Sequence, residues 1–229
     1  MSYAELHCLS NYSFLRGASH PSELVEQAVH LGYSALAITD ECSLAGVVKA
    51  HVVAKELDFK LIIGSEFNVS EGLKLVAIAP SRAAYGELSN LISRSRRRSE
   101  KGQYLTHLRD IYFHLKRCLI IWLPTHIDKE KHHADILSRR FADRFWIGVT
   151  QLLHHDDTTR LTELQQIASE LKAPLIACGS VEMHSASRKM LHDVVTAIRH
   201  NSSVQELGKR RSSNSCLLYT SDAADDIPR

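Results

Sequence analysis

The sequence predicts an α/β protein in which apolar strands alternate with amphipathic helices. Short apolar runs recur along the chain, and most are followed by stretches with apolar residues at helical spacing. This alternation is typical of βα units and a parallel sheet. Because the runs are apolar throughout, we expect both faces of the sheet to be covered. About seven strands favour a closed barrel, although the pattern alone leaves an open sheet as the alternative.

Seven apolar runs are predicted to be strands. Each is short and continuous, as expected for strands buried on both faces. The runs are residues 4–9, 35–38, 60–64, 73–79, 119–123, 145–149 and 175–178.

Six stretches with helical periodicity are predicted to be helices. The first begins at Pro21, since the proline ring pre-sets the backbone angle of a first helical turn, and it ends at Gly32. The stretches are residues 21–31, 43–57, 83–96, 129–141, 158–171 and 187–199.

The composition is ordinary for a soluble globular protein. The chain has 229 residues, 44% hydrophobic and 24% charged, with a net charge of +2, so no overall field draws nucleic acid or membrane to it. No signal peptide is expected, and the longest apolar run, 118–123, is too short to cross a bilayer. The five cysteines are widely spaced and are expected to be reduced thiols of a cytoplasmic protein.

Ionisable side chains lie at or after the ends of several predicted strands, where α/β proteins carry their functional residues. One imidazole and several carboxylates converging from separate strands are typical of a divalent-metal site. The alternative interpretation is that these carboxylates cap helices or face solvent. The candidate ligands are His7, Asp40, Glu41, Glu66 and Glu182.

Several segments resemble known sequence motifs in the same order along the chain. Residues 5–21, 35–46 and 62–66 resemble the first three motifs of PHP (polymerase and histidinol phosphatase) domains. Residues 40–48, 92–98 and 190–199 resemble the error-prone, translesion branch of the bacterial replicative polymerase alpha-subunit family. The resemblance covers about residues 3–214. It implies a distorted (β/α)7 barrel of the PHP type in residues 1–208, with the N-terminal motifs in about 3–71.

The chain departs from the active PHP pattern at the metal ligands. The opening His-x-His is His7-Cys8-Leu9, Glu41 replaces a histidine, Lys74 stands where a histidine is usual, and the final Asp-x-His is Ser180-Val181-Glu182. An alkyl group cannot ligate a metal, and an ammonium group repels a cation. The five candidate ligands are therefore interpreted as a vestigial set, with room for at most one weakly held divalent ion.

The resemblance implies that the chain is the front part of an error-prone DNA polymerase of DNA repair and translesion synthesis, and that its own role is structural. The parent would use Mg²⁺ at a polymerase site downstream. The implied partners are the downstream domains, DNA through the parent, and accessory translesion proteins, with no membrane. One alternative is a metal-dependent phosphoesterase or 3′–5′ proofreading exonuclease, which would need the missing imidazoles.

A second alternative is a DNA-binding module. It rests on a basic run at the predicted end of a helix, where cations also suit the helix dipole and where no aromatic residues are interleaved. The run comprises Arg94, Arg96, Arg97, Arg98 and Lys101.

The last part of the chain has no periodicity. Residues 209–229 are interpreted as a tail outside the domain, and 216–229 as non-native read-through.

Overall fold

In a computed structural model, which describes residues 3–152 and 155–211, seven strands form one sheet in sequence order. The segment after the last strand lies beside the first, where the amide of Leu9 donates to the carbonyl of Val181 (2.8 Å) and the amide of Val181 donates to the carbonyl of His7 (2.9 Å). The sheet is therefore a nearly closed barrel, and the predicted (β/α)7 fold is confirmed. The strands are β1 (Ala4–Cys8), β2 (Ala35–Ile38), β3 (Leu61–Asn68), β4 (Lys74–Ile78), β5 (Leu119–Trp122), β6 (Phe145–Val149) and β7 (Leu175–Ala177).

The helices of the described residues lie between the strands, apart from the last, which follows β7. All six predicted helices are present, and one short helix was not predicted. They are α1 (Pro21–His30), α2 (Val47–Glu56), α3 (Arg82–Arg97), α4 (Leu108–His114), α5 (Ile127–Phe141), α6 (Asp157–Leu171) and α7 (Lys189–Arg199). The unpredicted helix is α4, which has only seven residues.

One strand runs against the predicted parallel direction. β4 is antiparallel to both β3 and β5, whereas the other neighbouring pairs are parallel. The prediction of a parallel sheet was wrong here because β3 extends to Asn68, beyond its predicted end at Gly64. Only the turn 69–73 remains before β4, with Gly72 at φ +94°, and so short a link can join only antiparallel strands.

The largest apolar cluster joins β3 to β6 with the helices α3 to α6. Phe67, Leu88, Trp122, Phe141 and Phe145 are among its fully buried members. Burial of this surface from water is the main stabilisation of this half of the barrel.

No helix within residues 3–152 and 155–211 is long and apolar enough to cross a bilayer. Near the C-terminal end, the guanidinium Nε of Arg211 donates to Asp193 at 2.8 Å. The predicted read-through, 216–229, lies outside the described residues, so both predicted boundaries of the tail stay predictions.

Candidate functional site

The barrel brings four of the five predicted site residues together. His7 lies on β1, Glu41 follows β2, Glu66 lies within β3, and Glu182 follows β7. Their side chains share one set of contacts, and His7 and Glu66 are completely buried. These four side chains therefore meet at one place, and their assignment as metal ligands stays a prediction.

The guanidinium group of Arg16 lies between the three carboxylates. Its Nη1 is 2.8 Å from Glu41 Oε2 and also contacts Glu66 Oε1, while its Nη2 is 3.1 Å from Glu182 Oε1 and 3.3 Å from Glu66 Oε2. Only 7% of Arg16 is exposed. Although burial opposes the charge, the surrounding carboxylates raise the pKa of Arg16 further above its ordinary value, so it remains a cation.

Glu66 receives two more contacts besides Arg16. Its Oε2 lies 2.7 Å from Nε2 of His7 and 3.2 Å from Nζ of Lys74. Burial alone would raise the pKa of Glu66, but Arg16 and Lys74 outweigh burial and hold it well below its usual value. Burial also lowers the pKa of His7, which favours the neutral imidazole.

The outer oxygens of Glu41 and Glu182 are also occupied. Glu41 Oε1 accepts from Nδ2 of Asn68 (2.7 Å) and from the hydroxyl of Tyr104 (2.8 Å), and Glu182 Oε2 is 2.7 Å from Nε2 of His192. Burial opposes ionisation of both carboxyls, but Arg16 for Glu41, and His192 with Arg16 for Glu182, lower their pKa values. All six carboxylate oxygens of this cluster therefore have partners, and we name Arg16, Lys74, His7, Glu41, Glu66 and Glu182 the Arg16 cluster.

Asp40, the fifth predicted residue, has a different task. Its carboxylate accepts from the amide and hydroxyl of Ser10 (both 2.8 Å) and from the hydroxyl of Ser13 (2.7 Å). Burial raises its pKa despite these bonds. Asp40 thus fixes the loop 9–20, and this loop carries Arg16 into the barrel.

The backbone around the cluster is tightly constrained. Leu15, Cys42 and Ser180 have positive φ angles of 59°, 45° and 52°, which non-glycine residues rarely adopt. At Gly17 a Cβ atom would lie 2.1 Å from the carbonyl oxygen of Ser10, so only glycine fits there. These positions immediately precede or follow Arg16 and Glu41, or lie two residues before Glu182, and therefore help to aim those side chains.

The residues present do not fit a divalent metal ion. The carboxylates already contact two basic side chains, Arg16 and Lys74, and Leu9 is fully buried where the resemblance implies an imidazole in active members of the family. In the part of the chain that the structure describes, no group of three or more His, Cys, Asp and Glu side chains is arranged to hold a metal. An added ion would have to displace Arg16 against its three ion pairs.

The basic run of α3 is partly used inside the domain. Arg96 donates to the carbonyl oxygens of Glu41 and Cys42, both at 3.1 Å, and Arg98 pairs with Asp110. Arg94, Arg97 and Lys101 are exposed, and Arg94 also donates to Asn90 on its own helix at 2.8 Å. The predicted DNA patch stays a prediction, and two of its five side chains, Arg96 and Arg98, already have partners inside the domain.

Sequence reasoning missed Arg16 and His192 and treated Lys74 only as a residue that repels metal. A signal for Arg16 was available, since buried carboxylates that keep their positions after losing a metal need another cation. Arg16, inside the opening motif, was the candidate. No comparable signal pointed to His192, because its contact with Glu182 depends on how α7 packs.

Residues 5–173 match the family model of the PHP domain, and the chain belongs to this family. It is homologous to error-prone DNA polymerases. The error-prone DNA polymerase of Teredinibacter turnerae is 51% identical over 214 residues, which are 93% of this chain and 21% of that protein. The chain thus spans about a fifth of the length of this relative.

Two solved structures share the fold at low sequence identity. An amidohydrolase from Chromobacterium violaceum, solved with sulfate and no metal, has a TM-score of 0.57 at 14% identity over 80% of this chain and 88% of its own. An endonuclease Q bound to a duplex with an abasic lesion has a TM-score of 0.53 at 12% identity over 79% of this chain and 49% of its own. At such identities the likeness concerns the fold alone.

Proposed function

We propose that this chain is the N-terminal PHP domain of an error-prone DNA polymerase and that its role in the parent is structural. The 51% identity to a polymerase about five times as long supports the assignment. The parent would carry out Mg²⁺-dependent translesion synthesis in the bacterial cytoplasm and would contact DNA and accessory proteins through its other domains. The ion pairs of Arg16 with three carboxylates support the structural role.

The chemistry of a guanidinium group supports the same conclusion. A catalytic metal polarises a phosphate and lowers the pKa of a bound water. Arg16 has no open coordination position for a water, and its raised pKa prevents it from acting as a base. The cluster instead holds the loop 9–20 to the ends of β2 and β3 and to the segment after β7. The role of the cluster is therefore to hold this loop against the strand ends, which keeps this end of the barrel closed.

Phosphoester hydrolysis tests this proposal directly. The chain, dialysed and then supplied with manganese, should hydrolyse p-nitrophenyl phosphate no faster than manganese alone. Elemental analysis of the dialysed protein should find less than one equivalent of zinc, manganese or iron. Manganese-dependent hydrolysis that His7→Ala abolishes would refute the structural role and favour the phosphoesterase or exonuclease alternative.

Rebuilding the metal site gives a sharper test. Restoring the family ligands should not by itself restore metal binding, because Arg16 would still pair with Glu66, the carboxylate that these substitutions leave in place. Adding Arg16→Ala to the restored variant should raise its thermal midpoint with zinc or manganese, while the restored variant that keeps Arg16 should not respond. Equal metal binding by both variants would contradict the role given to Arg16. The restoring substitutions are Leu9→His, Glu41→His, Lys74→His, Ser180→Asp and Glu182→His.

A further inference from the structure

The last helix of the described chain, α7, has inverted polarity. Its buried residues are His192, Asp193 and Ala197. A surface helix of a soluble protein normally buries its apolar side and exposes its polar side. In α7 four of the exposed side chains are large and apolar, and they are Met190 (79% exposed), Leu191 (42%), Val194 (39%) and Ile198 (59%).

These side chains form one continuous stripe. Met190, Val194 and Ile198 are spaced by four residues, and Leu191 lies three residues before Val194, so all four share one face of the helix. By comparison, α3 buries Ala84, Leu88 and Leu91 and exposes polar residues along most of its outer side. The stripe of α7 therefore departs from the pattern of a helix that faces water.

Polar contacts hold α7 in this orientation. Nε2 of His192 is 2.7 Å from Glu182, which belongs to the Arg16 cluster. Asp193, almost fully buried, accepts at 2.8 Å from Arg211, which lies beyond the end of α7. Because charged and polar groups fix the inner face, the apolar stripe cannot turn inward without breaking them. The helix therefore presents this stripe outward.

The position of α7 in the sequence indicates what covers the stripe. The PHP family match ends at residue 173, before α7 begins. The match to the Teredinibacter turnerae polymerase covers 93% of the chain, and any continuous stretch of that size includes residues 189–199. The helix thus belongs to the region shared with the polymerases but not to the part that matches the PHP family. The relative continues well beyond this region, since the match covers only 21% of it.

We infer that the apolar stripe of α7 docks onto an apolar surface of the polymerase domains that make up the rest of the parent chain. The inference rests on the proposed function and adds the contact face to it. In the parent, the Arg16 cluster then has a second consequence: through Glu182 and His192 it sets the position of the docking helix.

Methionine oxidation tests the docking. Residues 1–211 are joined to the remaining sequence of the Teredinibacter turnerae polymerase, and this fusion and the isolated chain are treated with hydrogen peroxide. Met190 should oxidise about tenfold more slowly in the fusion than in the isolated chain, because oxidation follows exposure. Met183, which is fully buried, is the internal control and should react slowly in both proteins.

The outcomes separate the docking from the proposed function. A fusion that extends primers while Met190 reacts as fast as in the isolated chain overturns the docking and leaves the proposed function intact. Protection of Met190 in the isolated chain that grows with protein concentration would assign the stripe to a second copy and also overturn the docking. A folded fusion without primer extension counts against the proposed function, and Met190 still reports on the docking.

A pair of variants gives an independent measurement. Val194→Glu with Ile198→Glu should lower the thermal midpoint of the fusion by several degrees and leave that of the isolated chain unchanged. The matched control is Val48→Glu with Val52→Glu on α2, whose side chains are also exposed, at 70% and 51%, and are also four residues apart. The control should change neither protein, and equal effects of the two pairs on the fusion would overturn the assignment of the face to α7.

Discussion

The two halves of the barrel are stabilised by different interactions. Around β4 to β6 the buried side chains are mainly apolar, including Leu75, Trp122 and Phe145, with a few buried polar groups such as Glu130. Around β1 to β3 the buried groups include His7, Asp40 and Glu66, which are held by hydrogen bonds and ion pairs. The difference indicates that a buried carboxylate site needs a cation whether or not it binds metal, and that an arginine from a neighbouring loop can supply it.

The largest effect is expected from removing that arginine. Arg16→Ala leaves the buried Glu66 and the partly buried Glu41 and Glu182 without their shared cation, so the free energy of unfolding should fall by about 3–5 kcal/mol. Urea denaturation measures this, with Arg94→Ala as an exposed control that should change stability by less than about 0.5 kcal/mol. A loss of less than about 1 kcal/mol for Arg16→Ala would show that the ion pairs do not hold this half together.

The apolar half should respond to the loss of packing instead. Leu137→Ala, at a fully buried position of the apolar cluster, should cost roughly 2–5 kcal/mol. This cost should be the same at about pH 5 and about pH 8, because no ionisable group is involved. A cost that changes strongly with pH would mean that the two halves are coupled and that their stabilising interactions are not separate.

Acid should weaken the ion-paired half. The pKa values of Glu41, Glu66 and Glu182 are lowered in the folded chain, so their contribution is fully present above the ordinary carboxyl pKa and is lost as the pH falls through the lowered values. The difference in the free energy of unfolding between the unmodified chain and Arg16→Ala should therefore shrink in acid. A difference that stays constant down to about pH 3 would contradict the ionic origin of the effect.

Glu5 should show the opposite pH dependence in the same half. Burial raises its pKa to about 7, although the amides of His7 and Gly179 donate to it. Its contribution is therefore fully present below the ordinary carboxyl pKa and is lost as the pH rises through about 7. In urea denaturation, the free energy of unfolding of Glu5→Gln should rise by about 3 kcal/mol relative to that of the unmodified chain between about pH 4 and about pH 8. An unchanging difference would show that Glu5 does not titrate in this range.

The smallest effect is expected on the exposed part of the basic run. The double variant Arg97→Ala with Lys101→Ala should have a free energy of unfolding within about 0.5 kcal/mol of that of the unmodified chain. At physiological salt, neither protein should retain a labelled DNA duplex in a filter-binding assay. Retention that weakens with salt and with these substitutions would favour the DNA-binding alternative.

The fold could be predicted from the sequence to the extent that local patterns determine it. The runs at 35–38 and 145–149 are strands with the predicted bounds, because they are continuous apolar runs ended by polar residues. The direction of β4 could not be predicted in the same way. It depends on where β3 ends, and residues 65–68 continue β3 through pairing with β4, which the sequence of β3 alone does not reveal.

The site was predictable in its members but not in its contacts. His7, Glu41, Glu66 and Glu182 converge as their positions at strand ends indicate. The cation that joins them comes from a loop between β1 and α1, and loop geometry is not encoded in hydrophobic periodicity. A resemblance to metal enzymes directs attention to missing imidazoles, whereas the deciding residue is an arginine outside the expected ligand set.

The most direct test of the claim that Arg16 stands in place of a metal is the thermal midpoint of the unmodified chain with excess EDTA and with excess zinc or manganese. The same midpoint is expected in all three solutions, because the three carboxylates are already held in ion pairs with Arg16 and Lys74. A midpoint several degrees higher with metal than with EDTA, and lost in His7→Ala, would contradict it and show that the site still binds metal.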